Sequence, residues 1–190
     1  YVMNYNKLNL KVYAVQPSDW PQYRTYLREW QQDNSNAKMP GRLVEEKTLN
    51  LDFPDDTLSE VELKLRPYMD GEFGHFVLVI EPPAGIFESD DEQWRRFSQT
   101  IVIWVQVTQI GFDVYTDHSE MIAWTTNLKD GAPLTGVKIM PENGGPQTLS
   151  DAEGIARFDI PNGATYLTAS LGADTVLLPR SGYYWDEGGW

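Results

Sequence analysis

His75 and His118 are the two histidines of this 190-residue sequence, and so the two side chains most suited to act as a general base near neutral pH. His118 lies in Asp117-His118-Ser119-Glu120, which gathers the residue types of a nucleophilic relay into four consecutive positions. A relay needs its nucleophile, base and orienting acid to converge in space, and neighbours on one turn cannot do so. The cluster therefore reads as a solvated turn. His75 falls inside the stretch Phe73 to Ile80, where a strand is expected. The carboxylate runs Asp55-Asp56 and Asp90-Asp91-Glu92 have the chemistry for glycoside hydrolysis, or for calcium, which takes ~6–8 oxygens from convergent positions. Both runs sit in loops without the spaced Asp and Gly pattern of a calcium loop, and they read as solvated charge. With no cysteine there is no disulfide, no Cys-ligated zinc and no thiol nucleophile. Asn143-Gly144-Gly145-Pro146 reads as a hairpin turn, lacking the Lys and following helix of a phosphate-cradling loop. The sequence thus predicts no catalytic, cofactor-binding or metal-binding residue.

Aromatic residues offer the remaining chemistry. Tyr183, Tyr184, Trp185 and Trp190 cluster at the end of the chain. Exposed rings there would stack on sugars. The surrounding Asp186-Glu187-Gly188-Gly189 favours another role, packing at a junction with a further domain. Trp20 and Trp30 are expected to cover the core of a first domain.

Composition bounds the partners. A hydrophobic fraction of 41% supports a packed interior, and an aromatic share of 13% leans towards strands. The net charge is −13, with 11 basic and 17 acidic residues up to Val107 and 4 and 11 beyond it. Acidity spread over both halves disfavours nucleic acid and anionic membranes as partners. No apolar run approaches the ~20 residues of a membrane span. The chain begins at Tyr1 with neither an initiator Met nor a leader, and is expected to be a piece of a larger protein.

The elements follow from periodicity. Leu8 to Val15 alternates and predicts a half-buried strand. Ser18-Asp19-Trp20-Pro21 then supplies a cap and an early proline to a short helix over residues 19–31, with Tyr23, Tyr26, Leu27 and Trp30 on one side. Helix content is expected to end there. Strands are predicted at Leu43 to Phe53 with imperfect alternation, at Val61 to Leu65 with clean alternation, at Phe76 to Ile80 and at Ile101 to Val107. Beyond this the texture changes to short strands separated by turns every ~8–12 residues, the pattern of a β-sandwich. In the strand starting at Ile155, Ala156, Phe158 and Ile160 should share one face and Ile155, Arg157 and Asp159 the other. The prediction is an all-β chain of two tandem Ig- or fibronectin-like antiparallel sandwiches, residues 1–107 with the helical insertion and residues 108–190.

The second half carries a family pattern. Thr125-Thr126-Asn127-Leu128-Lys129-Asp130-Gly131-Ala132-Pro133-Leu134-Thr135-Gly136-Val137 continues into Ser150-Asp151-Ala152-Glu153-Gly154-Ile155-Ala156-Arg157-Phe158. This G-x-P-x-x-G-V and D-x-x-G-x-A-x-F pattern resembles the macroglobulin-like domains of bacterial α2-macroglobulins. Val105 to Val114 is similar to the crossing between two such domains, and Asn6 to Tyr26 to the preceding domain.

The resemblance implies a scaffold fragment of a broad-spectrum protease trap, upstream of its bait segment and non-catalytic. Without cysteine this chain cannot hold the thioester such traps use, and it has no bait-like stretch. Expected partners are neighbouring domains of the parent chain and, through the full-length protein, target proteases. No cofactor is implied. The expected location is extracytoplasmic, either periplasmic as part of a lipoprotein-type parent or at the cell surface. The alternative is an adhesin-like or carbohydrate-binding pair of Ig-like modules, which would expose two or more coplanar aromatic rings on one face.

Overall fold

The computed structural model describes residues 1–32, 37–85, 92–142 and 144–180. The chain divides into two compact units, Tyr1–Val105 and Gln106–Trp190.

In the first unit, β1 (Lys7–Val15) lies between β2 (Arg42–Asn50) and β3 (Gly74–Glu81), and β4 (Ile101–Val107) follows β3 in a four-stranded sheet. The ladders of β1 with β2 and β3 are antiparallel. The imperfect alternation of β2 has a structural cause. Val12 pairs with Glu45 but Tyr13 with Leu43, so Val44 is an extra residue that bulges out of the ladder. Gly41, just before β2, has φ 78°, and a Cβ there would lie 2.3 Å from the Ala14 carbonyl oxygen. Only glycine lets the chain enter the strand this close to β1.

The predicted helix forms as α1 (Trp20–Gln31), reached through a 3-10 turn in which Asp19 accepts a hydrogen bond from the Gln16 backbone N–H at 2.8 Å. Its Trp20, Tyr23 and Leu27 pack on Tyr13, Val15, Val77, Val102 and Trp104. Register places Tyr13 opposite Val77, so one sheet face takes the helix. Trp20, Tyr23 and Trp104 meet edge-on or tilted with ring centroids 5.3–5.4 Å apart, the arrangement their quadrupoles favour. Tyr23 is 4% exposed, and burial pushes its hydroxyl up to about 12. Towards the opposite face, Tyr68 from a 3-10 turn at Arg66–Tyr68 donates to Glu45 at 2.6 Å and accepts from Lys47.

Two expectations are corrected here. Val61 to Leu65 is not a strand. Val61, Leu63 and Leu65 are half-buried while Glu62 and Lys64 are exposed, so the alternation is real. No ladder partner for this stretch exists among the described residues, and Leu65 already turns into the 3-10 segment. Helix content also does not end at residue 31. A second helix, α2 (Glu92–Gln99), is held by tertiary contacts: Arg96 reaches Glu81 and the Pro82 carbonyl at 3.3 Å, and Phe97 stacks on Trp30 at 4.5 Å.

The second unit is a sandwich of two antiparallel sheets. One has the order β5-β6-β9, from Ile110–Thr116, Glu120–Asn127 and Ile155–Asp159. The other has the order β11-β10-β7-β8, from Asp174–Pro179, Tyr166–Leu171, Lys138–Pro141 and Thr148–Leu149. Alternate residues of both sheets fill one core: Phe112, Met121, Ala123 and Ala156 against Ile139, Leu167, Ala169 and Val176. Ala156 and Phe158 share one face, as the alternation predicts, and it is the inward one; Ile160, expected on that face, lies beyond the end of β9 and is exposed. The turns close on their own side chains. Asp117, Asn127, Asp130 and Asp151 each accept backbone N–H bonds from residues two to four ahead, at 2.8–3.1 Å.

Candidate functional site

The two motif stretches of the second unit meet around two buried hydroxyls. Thr125, fully buried on β6, aims its Oγ1–H between the carbonyls of Leu134 (3.0 Å) and Gly154 (3.1 Å). Ser150, 4% exposed, donates to the Leu134 carbonyl at 2.6 Å and accepts from the Val137 N–H at 3.0 Å. Backbone bonds complete the knot: Thr125 N–H to Gly154 O, Leu134 N–H to Thr125 O, and Ser150 N–H to Val137 O, at 2.8–3.0 Å. Gly154 has φ 76°, and a Cβ would come 2.4 Å from the Thr125 carbonyl oxygen. The motif glycine is therefore required by backbone proximity as well as by its left-handed φ. Ser150 is enclosed and spent on structural bonds, with no base beside it. The motif is a fold-specifying network rather than a reactive centre.

The remaining candidates disperse. His75, 6% exposed on β3, accepts a hydrogen bond from the Trp104 indole N–H at Nδ1, 3.3 Å away, and packs edge-on to that ring. It is a core histidine of the helix-covered face. His118 is exposed, in the β5–β6 turn. The N–H groups of Ser119 and Glu120, each 2.8 Å from Asp117, hold that carboxyl below its usual range, so Asp117 serves the turn. Asp56 exchanges two hydrogen bonds with Asn4 (2.7 and 2.9 Å), tying the N-terminal segment to the loop beyond β2. Among the described residues no three His, Cys, Asp or Glu side chains gather as metal ligands, and no helix is long and apolar enough to cross a membrane. Asp90, Asp91, Asn143, Tyr183, Tyr184, Trp185 and Trp190 lie outside the described residues. A cavity of about 640 Å³ opens beside Met3, Tyr5, Lys7, Phe53 and Asp55, and neither histidine lines it.

Sequence reasoning missed two features. Gln106 pairs its side-chain amide with one backbone unit of β11, accepting from the Leu177 N–H at 2.6 Å and donating to the Leu177 carbonyl at 2.9 Å. It thus occupies hydrogen-bonding positions that a further strand would otherwise take. The Gln109 N–H donates to the buried Asp174 carboxylate at 2.8 Å nearby. A lone glutamine gives no sequence signal for this role. The second feature is a pair of exposed aromatics, Tyr115 and Trp124, on the outer face of β5-β6-β9. The strands were predicted, but which face met the core was not.

No family model matches the chain, and no curated protein matches its sequence. Solved structures do match. The native crystal structure of Escherichia coli alpha-2-macroglobulin spanning domains NIE-MG1 superimposes with a TM-score of 0.65 at 21% identity, covering 93% of this chain and 85% of that one. The longer MG0-NIE-MG1 structure gives 0.63 at 20% identity, covering 94% and 56%. Trypsin-activated alpha-2-macroglobulin from Escherichia coli gives 0.60 at 22% identity, and there the chain spans only 12% of the protein's length. Identities near one fifth speak for architecture: this chain has the fold of the NIE-MG1 segment of bacterial alpha-2-macroglobulin.

Proposed function

We propose that this chain is a non-catalytic scaffold segment of a bacterial alpha-2-macroglobulin-like protease inhibitor, located outside the cytoplasm. The observation that carries the reading is the match to NIE-MG1 along 93% of the chain. The sequence pattern that resembles macroglobulin-like domains agrees with it, and in this chain its two stretches are joined through the Leu134 carbonyl, the Val137 N–H and Gly154. The role is mechanical. The segment presents rigid surfaces to neighbouring domains of the parent, while protease capture and any thioester belong to other parts of that protein.

The test is to express the complete polypeptide containing this segment and treat it with trypsin. Residual protease activity is then measured on casein and on a small amide substrate. A trap lowers casein hydrolysis several-fold while the small substrate is still cleaved. Parallel loss on both substrates, or no loss on either, would sink the proposal. The isolated 190-residue chain is expected to leave both activities unchanged.

A further inference from the structure

We propose that the outer face of the β5-β6-β9 sheet is a docking surface for a protein segment bearing arginine side chains. This does not rest on the scaffold reading; it comes from the chemistry of that face. Register places Tyr115 opposite Ile122, Trp124 opposite both Asp113 and Ile155, and Ile122 opposite Arg157. Tyr115, Ile122, Trp124 and Ile155 therefore form a continuous diagonal strip over three strands. All of them point away from the core, whose residues are the alternate ones, Phe112, Val114, Met121, Ala123 and Ala156. Tyr115 is 59% exposed and Trp124 43%. A contiguous exposed strip of apolar and aromatic side chains, unlike a lone exposed ring, marks an interaction surface.

Charge selects the partner. Arg157 is neutralised by Glu120 at 3.0 Å. Asp113, beside both rings, and Asp159, opposite Glu120, have no ion-pair partner among the described residues. The face thus combines two π surfaces with surplus negative charge. A guanidinium can stack on Trp124 or Tyr115 while donating to Asp113, and it satisfies both features at once. A neutral glycan would gain nothing from the surplus charge, and strand twist turns rings on neighbouring strands away from one flat platform. A second copy would bring like charges together.

The test is an NMR titration of the 190-residue chain with hexa-arginine at low salt. Saturable shifts are expected at the Trp124 indole, Tyr115, Asp113 and Ile155. Asp113→Asn and Trp124→Ala should each weaken binding about three- to fivefold, and Tyr115→Ala with Trp124→Ala about tenfold or more, with unchanged far-UV circular dichroism. Asp113→Asn keeps the side chain's shape, so it decides the matter should the aromatic variants lose structure. Shifts scattered over the acidic surface and unaffected by these variants would overturn the proposal. So would saturable shifts at these residues with cellohexaose but not with hexa-arginine. Concentration-dependent broadening of the same residues without peptide would overturn it in favour of self-association.

Discussion

Replacing Ser150 by Ala removes one hydroxyl from the second unit, and the neighbouring bonds set the cost. The Leu134 carbonyl loses its 2.6 Å donor but keeps Thr125 Oγ1 at 3.0 Å, so the acceptor stays satisfied. The Val137 N–H loses its 3.0 Å acceptor beside a fully buried side chain, and a backbone N–H has only one hydrogen to place. A buried backbone donor left without an acceptor costs about 1–3 kcal/mol. For a unit of this size that lowers its Tm by roughly 5–20 °C. Thr125→Val provides the internal comparison. It also removes a buried hydroxyl, yet both carbonyls it serves keep another donor, Ser150 Oγ on Leu134 and the Thr125 N–H on Gly154. The expected loss is about 1 kcal/mol. Calorimetry of the whole chain measures both variants. Hydrogen exchange followed by NMR localises the effect to β5–β11, with the Val137 amide losing protection in Ser150→Ala alone. Equal losses for the two variants, or a Ser150→Ala loss below ~0.5 kcal/mol, would refute the reasoning that the orphaned N–H dominates.

Further outcomes follow from other contacts. Gly154→Ala meets the Thr125 carbonyl and carries an unfavourable left-handed φ, so it should cost at least about 2 kcal/mol in urea unfolding, whereas an exposed site costs little. Gln106→Ala orphans the Leu177 N–H on β11 and should destabilise the second unit by about 1–3 kcal/mol, read as faster exchange of that amide. Because burial raises the Tyr23 hydroxyl to about 12, the folded state holds its proton more tightly than the unfolded chain. That stability is intact below pH ~10 and lost as pH rises towards 12; Tyr23→Phe should flatten the alkaline decline in Tm. His118→Ala should leave Tm unchanged, while His75→Ala, which strips the Trp104 indole of its acceptor, should lower the Tm of the first unit.

Much of this molecule was legible in its sequence for identifiable reasons. Helix α1 was read correctly because the apolar spacing of Tyr23, Leu27 and Trp30 and the Pro21 start signal are local, and so was the turn at Asp117. The solvated-turn reading of the Asp117 cluster held because four consecutive residues cannot converge, whatever the fold. The pairing of Ala156 with Phe158 on one face of β9 follows from a period of two. Tertiary structure decided what depends on distant partners. Val61 to Leu65 alternates like a strand but found no ladder, and α2 is too short to stand without Glu81 and Trp30. Gln106 became an edge cap only because β11 arrives beside it, 71 positions later. Likewise, alternation left open whether Tyr115 and Trp124 would meet the core or the solvent. That choice was made when the opposite sheet packed on Phe112, Met121 and Ala123, because a sheet with a single partner can bury only one of its faces.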